Sequence, residues 1–162
     1  MNPSPTVGLD RARDPAFFEL LADSHARVVG RPLTPVPRDA AWAYAEAPFA
    51  LLAHDGGADP CFTYANRTAQ ACFEYAWDEI VGLPSRFSAE APERAARQAL
   101  LDAVTRDGFA CGYRGVRIAK SGRRFWIEDG VVWQLRRPDG SVAGQAATFS
   151  AWRDVSASPR GA

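Results

Sequence analysis

The sequence predicts an α+β fold: a five-stranded antiparallel sheet with helices on one face and an N-terminal helical extension. In the first third of the chain, apolar residues recur at three- and four-residue spacing, as in amphipathic helices. In the last third they alternate with period two, as in half-buried strands. Two short apolar runs and further helical segments lie between. With 162 residues, 47% of them apolar and 23% charged, the chain suits one domain with its own core.

Composition narrows the classes of function. The chain has 19 basic and 19 acidic residues and a net charge of zero, which argues against direct nucleic-acid binding. No apolar stretch approaches the ~18–20 residues of a membrane helix. The start has no secretory signal pattern, and the three cysteines have no metal-site spacing. We therefore expect a cytoplasmic protein.

The N-terminal part divides into a disordered lead-in, 1–13, and a helical extension, 14–47. Asp14 and Pro15 provide an N-cap and a first helical residue, and Gly30 ends the helix. Its apolar stripe includes Phe17 and Leu21. A second short helix, over about 39–47, should bury Trp42, Tyr44 or both.

A PAS-like core is expected over 48–155, followed by a loose tail, 156–162. Its first half should form two strands, two short helical segments and one long helix, over 49–54, 62–65, 67–75, 77–81 and 92–108. Asn66 follows a strand and precedes a helix. It can therefore act as an N-cap, and a ligand contact is the alternative.

The second half of the core should be a three-stranded meander over 109–119, 123–137 and 142–152. In its middle strand, five apolar residues share one parity and should face the core together: Phe125, Ile127, Val131, Trp133 and Leu135. Asp129 interrupts this row, and Gly130 beside it indicates a bulge. Trp126 has the opposite parity, so the N-terminal helices or a partner chain must cover it.

This element order is that of a PAS domain, and separate blocks of sequence carry a family resemblance. The blocks are APFALLAH (47–54), DPCFTYAN (59–66), LPSRFSAE (83–90), YRGVRI (113–118), GRRF (122–125) and GQAATF (144–149). Together they resemble the MEKHLA domain, a PAS-related module of small bacterial proteins and of plant homeodomain–leucine zipper transcription factors. The resemblance runs over about 17–152. It implies a PAS-like fold and a sensory or regulatory role, and it transfers no catalytic residues.

Three hypotheses of function follow. In the first, a small ligand binds between sheet and helices, and the signal passes to a protein partner. The pocket candidates are then Phe62, Tyr64, Phe73, Arg86, Phe125, Trp133 and Phe149. In the second, the core is solid and the chain is a homodimer or docking module, with an interface at Phe17, Leu21 and Trp126. In the third, it is a small enzyme that uses Asp129, on the buried parity of its strand.

The sequence matches the motifs of cofactor-binding PAS domains only in part. LPSRF resembles the NCRFLQ motif of flavin-binding blue-light PAS domains, and Arg86 matches the arginine that meets the flavin phosphate there. Ser85, however, replaces the adduct-forming cysteine, and a hydroxyl has no accessible anion at neutral pH. Non-covalent flavin binding stays open. The long helix contains no histidine for haem, and we interpret His25 and His54 as packed or surface residues.

A run of basic residues on one predicted hairpin has two interpretations. The run comprises Arg114, Arg117, Lys120, Arg123 and Arg124. It is either a solvated edge with cross-strand pairs to Glu128 or Asp129, or a site for a phosphate-bearing ligand or an acidic partner.

Overall fold

The computed structural model describes residues 11–155, apart from the side chains of 91–93. Its α-helices are α1 (Pro15–Ser24), α2 (Ala40–Ala45), α3 (Arg67–Phe73), α4 (Trp77–Ile80) and α5 (Ala91–Asp107). A π-helical turn, His25–Val29, continues α1, and a 3₁₀ turn, Ser85–Ser88, precedes α5. The strands are β1 (Ala50–His54), β2 (Phe62–Ala65), β3 (Phe109–Ile118), β4 (Arg124–Arg136), β5 (Val142–Phe149) and β6 (Ala151–Asp154).

The strands form one antiparallel sheet in the order β2-β1-β5-β4-β3. The sheet has six strands rather than five, because the predicted third strand of the meander is interrupted at Ser150. β5 lies between β1 and the second half of β4, and β6 pairs with the first half of β4. The α+β, PAS-like architecture is confirmed.

A line of irregularities crosses three neighbouring strands at one level. The register of β3 against β4 shifts twice between Ala110 and Gly115. Gly112 in β3 and Asp129 in β4 have φ angles of 68° and 52°, and the bend at Ser150 lies between β5 and β6. Both Gly and Asp tolerate this left-handed conformation better than most residues do. Along each of these strands, alternate residues face one side of the sheet before this level and the opposite side after it.

We call the two sides the inner face, covered by α3 and α5, and the outer face, covered by α1. Before the bulge, Phe125 and Ile127 lie in the inner core with Phe73 and Phe149. After the bulge, residues of the same parity, Trp133 among them, lie in the outer core with α1. The predicted bulge is present, but the prediction of one buried parity along all of β4 was wrong, because the bulge inverts it.

The N-terminal extension is an integral part of the fold. Leu21 is completely buried in the outer core. The Ser24 hydroxyl donates to the Arg136 carbonyl at 3.0 Å and accepts from the Arg136 N–H at 2.9 Å. The Asp14 carboxylate accepts from Ala16 N–H, and Gly30 ends the π-helical turn with φ 90°, both as expected. Arg11–Arg13 also differ from the disordered lead-in, since Ala12 is buried; 1–10 and the tail lie outside the described residues.

Asn66 fastens the extension to the sheet. It caps α3, as expected, by accepting from Ala69 N–H at 3.0 Å, and the same oxygen accepts from Leu51 N–H. Its amide nitrogen donates to the carbonyls of Ala43 and Phe49 at 3.0 and 2.9 Å. All four hydrogen bonds of this buried side chain are therefore made within the protein.

Candidate functional site

A cavity of about 80 Å³ lies between α5 and the inner face. Most of its lining is apolar, and eight polar side chains interrupt it. The apolar part includes Leu52, Phe62, Phe73, Leu100, Leu101, Ile127, Val132 and Phe149. The polar part comprises His54, Ser85, Arg97, Tyr113, Arg117 and Gln145, together with the hydroxyls of Ser88 and Thr148.

Arg97 is the buried cation of this cavity. It projects from α5 and is only 6% exposed. Its guanidinium donates one hydrogen bond to the hydroxyl of Ser85, and among the described residues no carboxylate forms an ion pair with it. Burial lowers the pKa of Arg97, and the positive charge of Arg117 lowers it further. The cavity is therefore electrically positive.

Arg117 reaches the same cavity from β3. It is buried, and its guanidinium lies 5.2 Å from the centre of the Tyr113 ring, within cation–π distance. Tyr113 also lines the cavity. The basic run of this hairpin thus contributes one of its members to the interior.

His54 lies at the end of β1, beside the cavity. Its Nδ1 accepts from Gly56 N–H at 3.1 Å, so the hydrogen of the neutral ring is on Nε2. Burial and the neighbouring charge of Arg97 lower the pKa of His54 to about 4, against a small opposing effect of Asp55. At neutral pH, His54 is therefore an uncharged hydrogen-bond donor at the cavity.

Gln145, on β5, contributes an unsatisfied polar atom. Its Oε1 is buried and has no hydrogen-bond partner within the described part of the chain. Its Nε2 makes only long contacts, 3.5 Å to the Leu101 carbonyl and 3.4 Å to the Thr105 hydroxyl. Buried polar atoms without a partner are rare in folded proteins. This amide is therefore available to a molecule in the cavity.

The seven predicted pocket residues fall into four groups. Phe62, Phe73 and Phe149 line the cavity. Phe125 lies behind them, completely buried, with its ring centre 5.1 Å from that of Phe73. The aromatic part of the prediction thus identifies one wall of the cavity.

Tyr64 and Trp133 lie on the outer face instead, so placing them in the sheet–helix space was wrong. A register shift between β1 and β2 turns Tyr64 away from Phe62, and Tyr64 packs on Phe17 at 5.5 Å. Trp133 follows the bulge of β4, and its ring lies edge-on to His25 at 4.8 Å. Both side chains belong to the outer core.

Arg86, the fourth group, is not part of the cavity lining. Its guanidinium forms an ion pair with Asp59 at 3.1 Å and stacks on the ring of Phe87 at 4.4 Å. The Arg86 side chain is 42% exposed. Arg86 therefore has a local role at the surface and makes no contact with the cavity.

The predicted interface residues are used largely within the chain itself. Leu21 is buried under the outer core, and Phe17 is half-buried against Tyr64. Trp126 is half-buried and lies under Arg114, whose guanidinium is 3.9 Å from the ring centre. The N-terminal helix therefore covers the protein's own sheet at the Trp133 end, and Arg114 covers it at Trp126.

The rest of the basic run is paired, but with other carboxylates than expected. Lys120 contacts Glu79, Arg123 contacts Glu74 and Asp154, and Arg124 contacts Glu90. Glu128 pairs with Arg153 of β6 instead. Asp129 is exposed at the bulge, so its expected place on the buried parity was also wrong.

Arg97, Gln145 and His54 were missed as site residues. Arg97 had one usable signal: it stands four residues before Leu101 and seven before Val104, on the apolar stripe of α5. An arginine in that position is normally taken for a side chain that extends along the stripe to solvent. Sequence alone gives no sign that its charge is buried.

The profile of the MEKHLA domain matches residues 15–154, nearly the whole chain. This chain belongs to the MEKHLA-domain family. The match includes the N-terminal helix as well as the PAS-like sheet, in agreement with the packing of α1 on the outer face. Comparison with curated proteins finds no match for this MEKHLA domain.

Solved structures show the same fold at low identity. The PAS domain of a protein from Colwellia psychrerythraea matches with a TM-score of 0.59 and 17% identity, over 71% of this chain and 92% of that one. A light–oxygen–voltage domain studied with a flavin analogue matches with 0.54 and 20%, over 66% and 77%. The blue-light activated histidine kinase of Erythrobacter litoralis matches with 0.57 and 21%, over 73% of this chain and 36% of the kinase.

The residues of this MEKHLA domain do not fit a flavin. A cavity of about 80 Å³ is far below the ~300–1,000 Å³ of pockets for ligands of that size. Ser85, in the position of the adduct-forming cysteine, accepts a hydrogen bond from Arg97. Arg86, in the position of the phosphate-binding arginine, lies outside the cavity and forms an ion pair with Asp59.

Two features are absent from residues 11–155, the side chains of 91–93 aside. In that part of the chain no cluster of three or more His, Cys, Asp or Glu side chains could hold a metal ion. Within the same range, no helix has the length and apolar character of a membrane crossing.

Proposed function

We propose that this MEKHLA domain is a cytoplasmic sensory or regulatory module that binds a small molecule in the cavity and signals through protein contacts. The observation that carries the proposal is the buried Gln145 amide oxygen, which has no hydrogen-bond partner among the described residues, at the wall of a cavity between sheet and helix. A solid-core interaction module needs neither the space nor the unsatisfied atom.

A route from the cavity to the surface runs through β4. Val132 lines the cavity, and its neighbour Trp133 contacts His25 of the N-terminal extension. Because adjacent residues in a strand point to opposite faces, a shift of this segment moves both. The π-helical turn at His25 is then the element that transmits ligand binding to a partner, and such turns are frequent at functional sites.

Native mass spectrometry of freshly purified protein, compared with a denaturing spectrum, tests ligand binding. We expect an additional non-covalent mass that disappears on denaturation. The variant Ala147→Leu adds three carbon atoms to a residue of the cavity lining, so it should lose that mass. Ala96→Leu, on the exposed side of α5, is the matched control and should retain it.

A bare mass in all three proteins, with no thermal stabilisation by any compound of a small-molecule library, would contradict ligand binding. A bare dimer in the same spectra would favour the alternative of a ligand-free dimerisation module, with Trp126 and Arg114 as the surface to substitute first. Replacing Asp129 by Asn should leave binding intact in either case, since this side chain is exposed and is not part of the lining.

A further inference from the structure

The charge of Arg97 is the least expected feature of the cavity. An isolated buried charge is strongly disfavoured, and buried arginines are normally paired with a carboxylate. A guanidinium has five N–H donors, and among the described residues that of Arg97 donates one hydrogen bond, to the Ser85 hydroxyl. Asp59 acts on it only through space and is itself paired with Arg86.

The described surroundings of Arg97 offer little compensating charge beyond the through-space effect of Asp59. Arg117 contributes a second positive charge, and the histidine beside them, His54, is neutral at physiological pH. The lining contains no Asp or Glu among the residues that the structure describes there. Among the described residues no carboxylate pairs with Arg97, so its charge is best balanced by an anion that enters the cavity.

The remaining lining limits the rest of the ligand. Aromatic and aliphatic side chains, including Phe62, Phe73 and Phe149, form most of the wall. The volume of about 80 Å³ is smaller than the ~150 Å³ of a cavity that accepts benzene. A compact molecule with an apolar body and one charged group matches both properties.

We infer that the ligand is a compact organic acid whose carboxylate pairs with the guanidinium of Arg97 while its apolar part packs on the phenylalanines of the inner face. This inference rests on the proposed function, because it names the class of molecule for the same cavity. Arginine suits this role since its planar fork binds a carboxylate through two parallel hydrogen bonds.

Thermal unfolding with matched pairs of compounds tests the inference. Propionate and butyrate are the acids, propionamide and butyramide are neutral compounds of nearly the same shape, and inorganic phosphate is an anion without an apolar body. At 100 times Kd an acid should raise Tm by roughly 5–10 °C. The amides and phosphate should give clearly smaller shifts.

Variants of Arg97 separate charge recognition from a merely structural role. Arg97→Met keeps the length of the side chain but loses its charge, and should lower the affinity for the acids roughly 10- to 100-fold. Arg97→Lys keeps the charge and should retain part of the selectivity for acid over amide. Arg86→Gln removes an exposed arginine outside the cavity and should bind like the wild type.

The outcomes distinguish this inference from the proposed function. If amides stabilise the protein as well as acids do, or if Arg97→Met binds acids like the wild type, the anion inference is wrong and ligand binding stands. If phosphate alone matches the acids, the apolar part of the inference is wrong. If Ala147→Leu binds the acids as tightly as the wild type does, the site lies elsewhere and both proposals fail.

Discussion

The two faces of the sheet are packed differently. On the outer face, α1 and the π-helical turn close over Trp133 and Leu21, both completely buried. On the inner face, α5 leaves a cavity with a buried arginine and a glutamine amide oxygen that has no partner among the described residues. Core packing at native density is the usual source of stability, and an unfilled cavity opposes it. The outer face should therefore contribute stability, and the inner face binding.

The largest expected effect is on the outer face. Trp133→Ala should lower the free energy of unfolding by about 3–5 kcal/mol, since it removes a fully buried ring from between β4 and the extension. Urea denaturation measures this change. Trp133→Phe is the control: it keeps a ring and removes an indole N–H that has no partner, so it should cost much less. A loss below about 1 kcal/mol in Trp133→Ala would show that the extension is not docked in solution.

The next effect is a pH dependence that originates on the inner face. The pKa of His54 in the folded protein, about 4, lies below the value of about 6.5 expected when it is unfolded. The unfolded chain therefore binds more protons between these values, and stability should fall by roughly 2–3 kcal/mol from pH 7 to pH 4. Urea denaturation across this range measures the slope.

His54→Gln should flatten that slope, because glutamine does not titrate. His25→Gln is the comparison on the outer face, where burial also lowers the histidine pKa. Identical pH profiles for wild type and His54→Gln would place the protonation elsewhere. The carboxylates with lowered pKa values, such as Glu74, act in the same direction but at lower pH.

A smaller change in the free energy of unfolding, this time a stabilisation, is expected at the cavity wall. Gln145→Leu replaces an unpartnered amide by an apolar side chain and should raise the free energy of unfolding by about 1 kcal/mol. Gln98→Leu, on the exposed side of α5, controls for added hydrophobicity and should be nearly neutral. A loss of more than about 1 kcal/mol in Gln145→Leu would mean that its two long contacts are stronger than their lengths indicate.

The smallest effect is expected at Arg86. Its pair with Asp59 is exposed, so Arg86→Gln should change stability by less than about 0.5 kcal/mol. Chemical denaturation at low and high salt measures it. A larger loss, abolished by salt, would indicate that the pair holds the 3₁₀ turn in place.

Local signals predicted most of the elements correctly. Asp14, Asn66 and Gly108 mark helix ends where the structure has them, because caps depend only on nearby residues. The site was predicted only in part. Phe62 and Phe149 were identified by aromatic character, which is a property of single residues, whereas Trp133 was misplaced because its side depends on the bulge before it.

The burial of Arg97 was beyond sequence reasoning for a related reason. Its helix position is clear from the stripe that it shares with Leu101 and Val104. What the helix packs against depends on β3 and β4, which lie more than ten residues after Arg97 in the sequence. Whether a charge on such a stripe reaches solvent or a cavity is decided by that distant packing.

The line of irregularities through Gly112, Asp129 and Ser150 restricts how the length of this chain can change. Deleting one residue at Asp129 would restore simple alternation along β4. Val132 would then turn toward the N-terminal helix and Trp133 toward the cavity. Only simultaneous deletions at Gly112 and Ser150 would keep the three irregularities aligned across the sheet. Single-residue deletions should therefore be tolerated in the hairpin turns and excluded from this level of the sheet.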